Sequence, residues 1–137
     1  MSEIHLSGGC LCGSVRYEIS GKEGRFWHCH CRRCRKATGT GHASNVLLKP
    51  DSAEWTAGED LLKVYKVPDA KFYRAIFCST CGSPLPRVAP DMSIAVVPAG
   101  TLDNDPGLRP EARIFEGSKA PWSCDDTVVP GHDKYPG

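Results

Sequence analysis

His28-Cys29-His30-Cys31-Arg32-Arg33-Cys34 places three thiols within six residues and sets basic side chains among and after them. In extended backbone alternate side chains share a face, so Cys29 and Cys31 point together, and a turn through Arg32-Arg33 brings Cys34 back beside them. Three sulfurs then surround one point. A zinc ion held by three thiolates keeps a position open for chemistry, whereas four protein ligands close the site and make it structural.

Two further cysteine groups flank this stretch. Cys10-Leu11-Cys12 lies between Gly8-Gly9 and Gly13, whose missing side chains permit the close backbone approach that a shared metal demands. Cys78-Ser79-Thr80-Cys81-Gly82 has the spacing of a zinc knuckle, with two thiolates from one turn and a glycine that frees the backbone to hydrogen-bond sulfur. Eight cysteines could form four disulfides or two metal sites. The spacings are too tight for comfortable local bridges, and a cytosolic chain keeps its thiols reduced, so metal ligation is the better reading. With no ferredoxin-like cysteine run, zinc is the expected occupant. Cys10, Cys12, Cys78 and Cys81 supply two ligand pairs that clip a long loop into a structural site, and Cys29, Cys31 and Cys34 remain as a second, open set. The rival assignment pairs the knuckle with two cysteines of the triad and strands Cys10 and Cys12 without a metal, so economy favours the first.

The 137 residues suit one domain, 1–137, whose modest core a metal would help to stabilise, with a loose C-terminal tail from about residue 125. Lys plus Arg number 17 against 16 Asp plus Glu, and the net charge of +1 gives no general reason to expect nucleic acid or an anionic membrane as partner. Met1-Ser2-Glu3-Ile4-His5 lacks the basic start of a signal peptide, and no segment nears the roughly 20 apolar residues of a membrane span. We expect a soluble, cytoplasmic protein.

Short strands dominate the pattern. Ser14 to Ile19 alternates, with Val15, Tyr17 and Ile19 on one face, and Gly21 ends it. Arg25 to His28 leads into the triad as a second strand, and Arg35 to Thr38 makes a helical turn closed by Gly39. His42 to Leu48 forms a strand ended by Pro50, and Asp51 to Asp60 is a polar connection carrying Trp55. Leu61 to Val67 and Phe72 to Phe77 make a hairpin turning at Pro68-Asp69-Ala70-Lys71, and Ser93 to Pro98 and Glu111 to Phe115 add two strands around the Gly100 to Pro110 loop. No long 3.6-residue period occurs, so the fold is expected to be mainly β.

Gly9-Cys10-Leu11-Cys12-Gly13-Ser14-Val15-Arg16-Tyr17, Cys29-His30-Cys31-Arg32-Arg33-Cys34-Arg35-Lys36, Phe77-Cys78-Ser79-Thr80-Cys81-Gly82 and Ser118-Lys119-Ala120-Pro121-Trp122 together resemble the glutathione-dependent formaldehyde-activating enzyme family, which includes centromere protein V. The resemblance runs from about Gly8 to Trp122. It implies an Mss4-like fold of short antiparallel sheets stapled by zinc. It places the structural zinc on Cys10, Cys12, Cys78 and Cys81, and the reactive zinc on Cys29, Cys31 and Cys34. The implied activity is that of a zinc-dependent carbon–sulfur lyase, which condenses formaldehyde with glutathione to S-hydroxymethylglutathione or acts on a related thiol adduct. The partner so implied is a small-molecule thiol such as glutathione. The alternative is a noncatalytic zinc-stapled module that binds a protein or other partner.

An open zinc could lower the pKa of a bound thiol or act as a Lewis acid on a carbonyl. Arg32, Arg33, Arg35 and Lys36 could offset the cluster's charge and attract substrate carboxylates, or equally form a solvated charged turn. His28 and His30 point away from the sulfurs in an extended strand and are assigned to packing or solvent. His42, after the Gly39-Thr40-Gly41 loop, is an outside candidate for proton transfer. Phe115 and Trp122 are read as core or cover, and Lys119 as an ordinary exposed lysine. Cys124 could complete a four-thiolate set with the triad, but a free thiol beside Asp125 and Asp126, which disfavour a thiolate, is preferred.

Overall fold

In the computed structural model, residues 3–71, 73–123 and 129–137 are described. Strand β2 (Arg16–Cys29) pairs antiparallel with β1 (Ile4–Gly9) on one side and β3 (Ala43–Ala57) on the other, with α1 (Arg32–Thr38) between β2 and β3. The small hairpin of β4 (Leu62–Lys66) and β5 (Arg74–Cys78) stands apart from this sheet. Two later strands, β6 (Arg87–Val88) and β7 (Ala95–Pro98), extend the large sheet in the order β1-β2-β3-β7-β6. β8 (Ala112–Ile114) joins in parallel against Trp27–Cys29, where β1 no longer covers the edge of β2. The architecture is mainly β, as the short alternating segments require.

The predicted alternation holds at the start of β2: Val15, Tyr17 and Ile19 are buried, while Glu18 is exposed. They meet Leu6 of β1, Val46 and Leu48 of β3, Val97 of β7 and Leu85 in one core. Each such side chain contributes about 1.5–3 kcal/mol on leaving water.

Two expected strand ends are not ends. Gly21 lies inside β2, where a Cβ would meet the Lys49 carbonyl oxygen at 2.1 Å, so glycine permits close approach of β3 and does not break the strand. Pro50 faces it inside β3, and the register shift between Ser20 and Gly21 leaves Asp51 as an extra residue beside it. Proline lacks an N–H for the ladder, and such a bulge is where that loss is tolerated. The supposed polar connection is consequently strand to Ala57, with Trp55 packed edge-to-face on Tyr17 at 6.1 Å. The hairpin forms as expected with Leu62 opposite Cys78, although Phe72 falls outside the described residues. No helix among the described residues is long and apolar enough to cross a membrane.

Candidate metal centres

The first cluster joins the turn between β1 and β2 to the end of β5. The ligand sulfurs of Cys10, Cys12, Cys78 and Cys81 all lie within 4.8 Å of one another. Cys10 and Cys12 sulfurs are 3.5 Å apart, and those of Cys12 and Cys78 are 3.9 Å apart. A tetrahedron of sulfurs at about 2.3 Å from zinc has edges near 3.8 Å, so the four thiols already stand at ligand spacing.

The surrounding backbone donates hydrogen bonds to the sulfurs. The amides of Val15 and Thr80 donate to the sulfurs of Cys10 and Cys78, at 3.3 and 3.4 Å. The Ser83 hydroxyl lies 3.3 Å from the Cys81 sulfur and accepts the Leu11 amide at 2.8 Å, tying the two ligand loops together. Hydrogen bonds from Ser83 hold Cys81 down to about 5. Burial pushes the Cys10 thiol up, but the Val15 amide and the neighbouring sulfurs outweigh it and leave the thiol below its ordinary value. Gly82, at φ +78°, completes the knuckle by donating its amide to the Cys78 carbonyl at 2.8 Å.

The second cluster forms where β2 gives way to α1. Cys29 ends β2, Cys31 caps the helix, and Cys34 faces inward from its first turn. Their sulfurs too lie within 4.8 Å of one another. The Cys34 amide donates to the Cys31 sulfur at 3.3 Å. Burial pushes all three thiols up, but for Cys31 the Cys34 amide and its neighbours prevail and the net direction is down. Cys29 stays raised by burial, and Cys34 is raised further by burial and by sharing hydrogen bonds with the other two. Among the described residues no fourth Cys, His, Asp or Glu joins this set, and Cys124 lies outside them. Both clusters could hold a metal ion.

The triad lines a cavity of about 470 Å³, together with Trp27, Tyr73, Arg87 and Phe115. Tyr73 packs against Cys29, Cys34 and Ala43, and the Arg87 guanidinium sits 4.5 Å from the centre of its ring. Burial pushes the Tyr73 phenol up, opposed by Arg87. Neither residue belongs to a cysteine motif, so nothing local in the sequence singled them out.

The other candidates are dispersed. His28 and His42 stack at 4.0 Å, and His30, tilted against His42 at 5.1 Å, is buried and is not one of the residues grouped with the three sulfurs. Burial, with His42 beside it, lowers the His30 ring below its ordinary value. His42 is therefore part of a histidine stack, and it lines the neighbouring cavity with Cys34 and Tyr73. Arg32 and Arg33 line the triad cavity, and Arg33 also lies 3.7 Å from the Asp69 carboxylate. Arg35 has its Nε buried and Lys36 is exposed. Lys119 pairs with Glu116 at 3.7 Å. Phe115 and Trp122 are neither core nor cover: they are 64% and 68% exposed, and Phe115 stands at the cavity with φ +54°.

The fold and site define a mainly β protein carrying one complete four-cysteine cluster and one three-cysteine cluster open to a cavity. The profile of the glutathione-dependent formaldehyde-activating enzyme family matches residues 5–118, and the chain belongs to that family. A Halomonas elongata protein, provisionally named as a glutathione-dependent formaldehyde-activating enzyme, is 32% identical over 132 residues, covering 85% of this chain and 78% of that protein. A crystal structure of a Rhodobacter sphaeroides protein superposes with a TM-score of 0.57 at 22% identity, over 79% of this chain and 98% of that one, a likeness of fold.

Proposed function

We propose that the protein is a zinc-dependent carbon–sulfur lyase that reversibly joins a glutathione-like thiol to formaldehyde or a related carbonyl, in the cytoplasm. The observation that carries this is the pairing of a complete four-cysteine cluster with a three-cysteine cluster that lines a cavity and has no fourth ligand among the described residues. A closed site of four thiolates suits structure; a site of three suits exchange of a small ligand.

Cys10, Cys12, Cys78 and Cys81 would hold the structural zinc, and Cys29, Cys31 and Cys34 the second. When bound there, zinc supplies Lewis acidity or a lowered pKa for a thiol. The protein's own part is positional. α1 and the end of β2 present three sulfurs from one side, and half-buried Cys31 is the most accessible of them. Trp27, Leu47, Val96 and Ile114 supply the apolar part of the cavity wall, which limits competing water. Tyr73 and Arg87 give the same wall hydrogen-bond donors. In the reaction, the substrate thiol gives up its proton, a sulfur lone pair forms a bond to the carbonyl carbon, the C=O π pair moves onto oxygen, and oxygen takes up one proton to give the hemithioacetal, the S-hydroxymethyl adduct when the carbonyl is formaldehyde. The reverse step returns the proton and both reactants.

Exchange NMR on glutathione plus formaldehyde tests this, comparing zinc-saturated protein, its Cys31→Ser variant and buffer. Accelerated adduct exchange with the intact triad and none with Cys31→Ser is the expected result. No acceleration from protein holding two zinc ions would remove the reaction and favour the noncatalytic binding module.

A further inference from the structure

The triad cavity continues past Tyr73 into a groove along β5 and β6, lined by Arg33 of the cysteine stretch, by Lys66, Arg74 and Arg87 from outside it, and by Asp91. Arg87 on β6 is half-buried and lines both the triad cavity and this groove. Its guanidinium covers the Tyr73 ring, and one Nη donates at 3.4 Å to the Arg74 carbonyl, a weak contact that leaves most of its donors uncommitted. Arg74 and Lys66 stand on the same groove. Among the described residues none of these three has a carboxylate within ion-pair distance, whereas Arg16, Arg25, Arg33 and Arg109 each have one. A partly desolvated guanidinium with no carboxylate at ion-pair distance, beside a candidate reaction site, is suited to receive an anion.

We infer that Arg87 is the specificity-determining residue of the site and that it receives a carboxylate of the thiol substrate, with Arg74 and Lys66 extending the receptor along the groove. The inference rests on the reading of Cys29, Cys31 and Cys34 as the place where a thiol reacts. The planar guanidinium matches a carboxylate through two parallel hydrogen bonds, and stacking on Tyr73 holds the fork in one plane at little entropic cost. On the helix α1, Arg33 already faces Asp69 and the Nε of Arg35 is buried, so Arg32, exposed at the triad cavity, is the competing cation, and among the described residues it lacks the aromatic ring that holds Arg87 in place. The preferred substrate is thus an anionic thiol, and neutral thiols of the same size are discriminated against.

Calorimetric titration of the zinc-loaded protein tests this without turnover. The probes are S-methylglutathione, which keeps both carboxylates and lacks a reacting thiol, and its dimethyl ester, which keeps neither. The acid should bind roughly 10- to 100-fold more tightly than the ester, the range of one charge-assisted hydrogen-bonded pair. Arg87→Gln should bring the two within about threefold while leaving the ester unchanged, and Arg87→Lys should fall between, because an ammonium keeps charge without the fork. The comparison in the unaltered protein stands even where a variant fails to fold.

Equal affinity for acid and ester, or no binding of either, would overturn the inference. So would an Arg87→Gln protein that keeps the preference, or one that loses only the triad's zinc, since Arg87 would then balance the cluster's charge. Discrimination without any formaldehyde exchange would keep the receptor and remove the lyase reading.

Discussion

Cys78→Ser removes a proposed ligand whose sulfur is fully buried and 3.9 Å from that of Cys12, a residue 66 positions earlier in the chain. A cross-link closing a loop of that length removes unfolded-chain entropy worth about 4 kcal/mol at 25 °C in the chain-entropy description. A metal clip acts in the same way, and the lost metal affinity adds to it. Against a total stability of about 5–15 kcal/mol, that loss leaves little margin. At roughly 3–5 °C per kcal/mol for a chain of this size, the midpoint should fall by about 15 °C or more, or the variant should not fold. Thermal melts followed by circular dichroism, in zinc and then in excess chelator, measure it. The unaltered protein should lose at least comparable stability to the chelator, and Cys78→Ser should lose further only the smaller share that belongs to the triad's metal. The triad closes only the segment 29–34, for which the same entropy is about 2 kcal/mol, so Cys31→Ser should melt much closer to the unaltered protein. A Cys78→Ser protein that melts within a few degrees of the original, and still responds to chelator, would refute the assignment of the four-cysteine cluster as the structural clip.

Gly21→Ala should cost about 1–3 kcal/mol or more in urea unfolding, because its Cβ would sit 2.1 Å from the Lys49 carbonyl oxygen and push β2 from β3; an unchanged midpoint would deny the close approach. The Tyr17 phenol donates to Thr101 at 2.6 Å, and burial pushes it up to about 12, so one tyrosine should ionise late in an ultraviolet titration and vanish from it in Tyr17→Phe. Since the folded value lies above the ordinary 10, this group's contribution of about 2–3 kcal/mol is complete below pH 10 and is lost as pH rises towards 12; stability indifferent to Tyr17→Phe across that window would contradict it.

The parts of the site that could be read along the chain are those where ligands are neighbours. Cys29, Cys31 and Cys34 fall within six residues, and extended backbone followed by a turn has few ways to hold them except together. Val15, Tyr17 and Ile19 likewise declare a buried face by alternation alone. The two strands that run past Gly21 and Pro50 misled the same reading, because each residue breaks a strand in isolation and is accommodated when the other stands opposite it with a bulge.

The sequence by itself determined the cysteine groups, the β character and the family, because spacing and period are geometric properties of short segments. The tertiary structure brings the Cys10–Cys12 pair onto Cys78 and Cys81, the grouping that economy favoured in the sequence, and it alone decided that Phe115 stands exposed at a cavity and that Tyr73 and Arg87 close on the triad. These contacts join elements far apart in the chain. They depend on the register of β2 with β3 and on where the β4–β5 hairpin settles, and no local pattern encodes the balance of burial and loop entropy that fixes such closures.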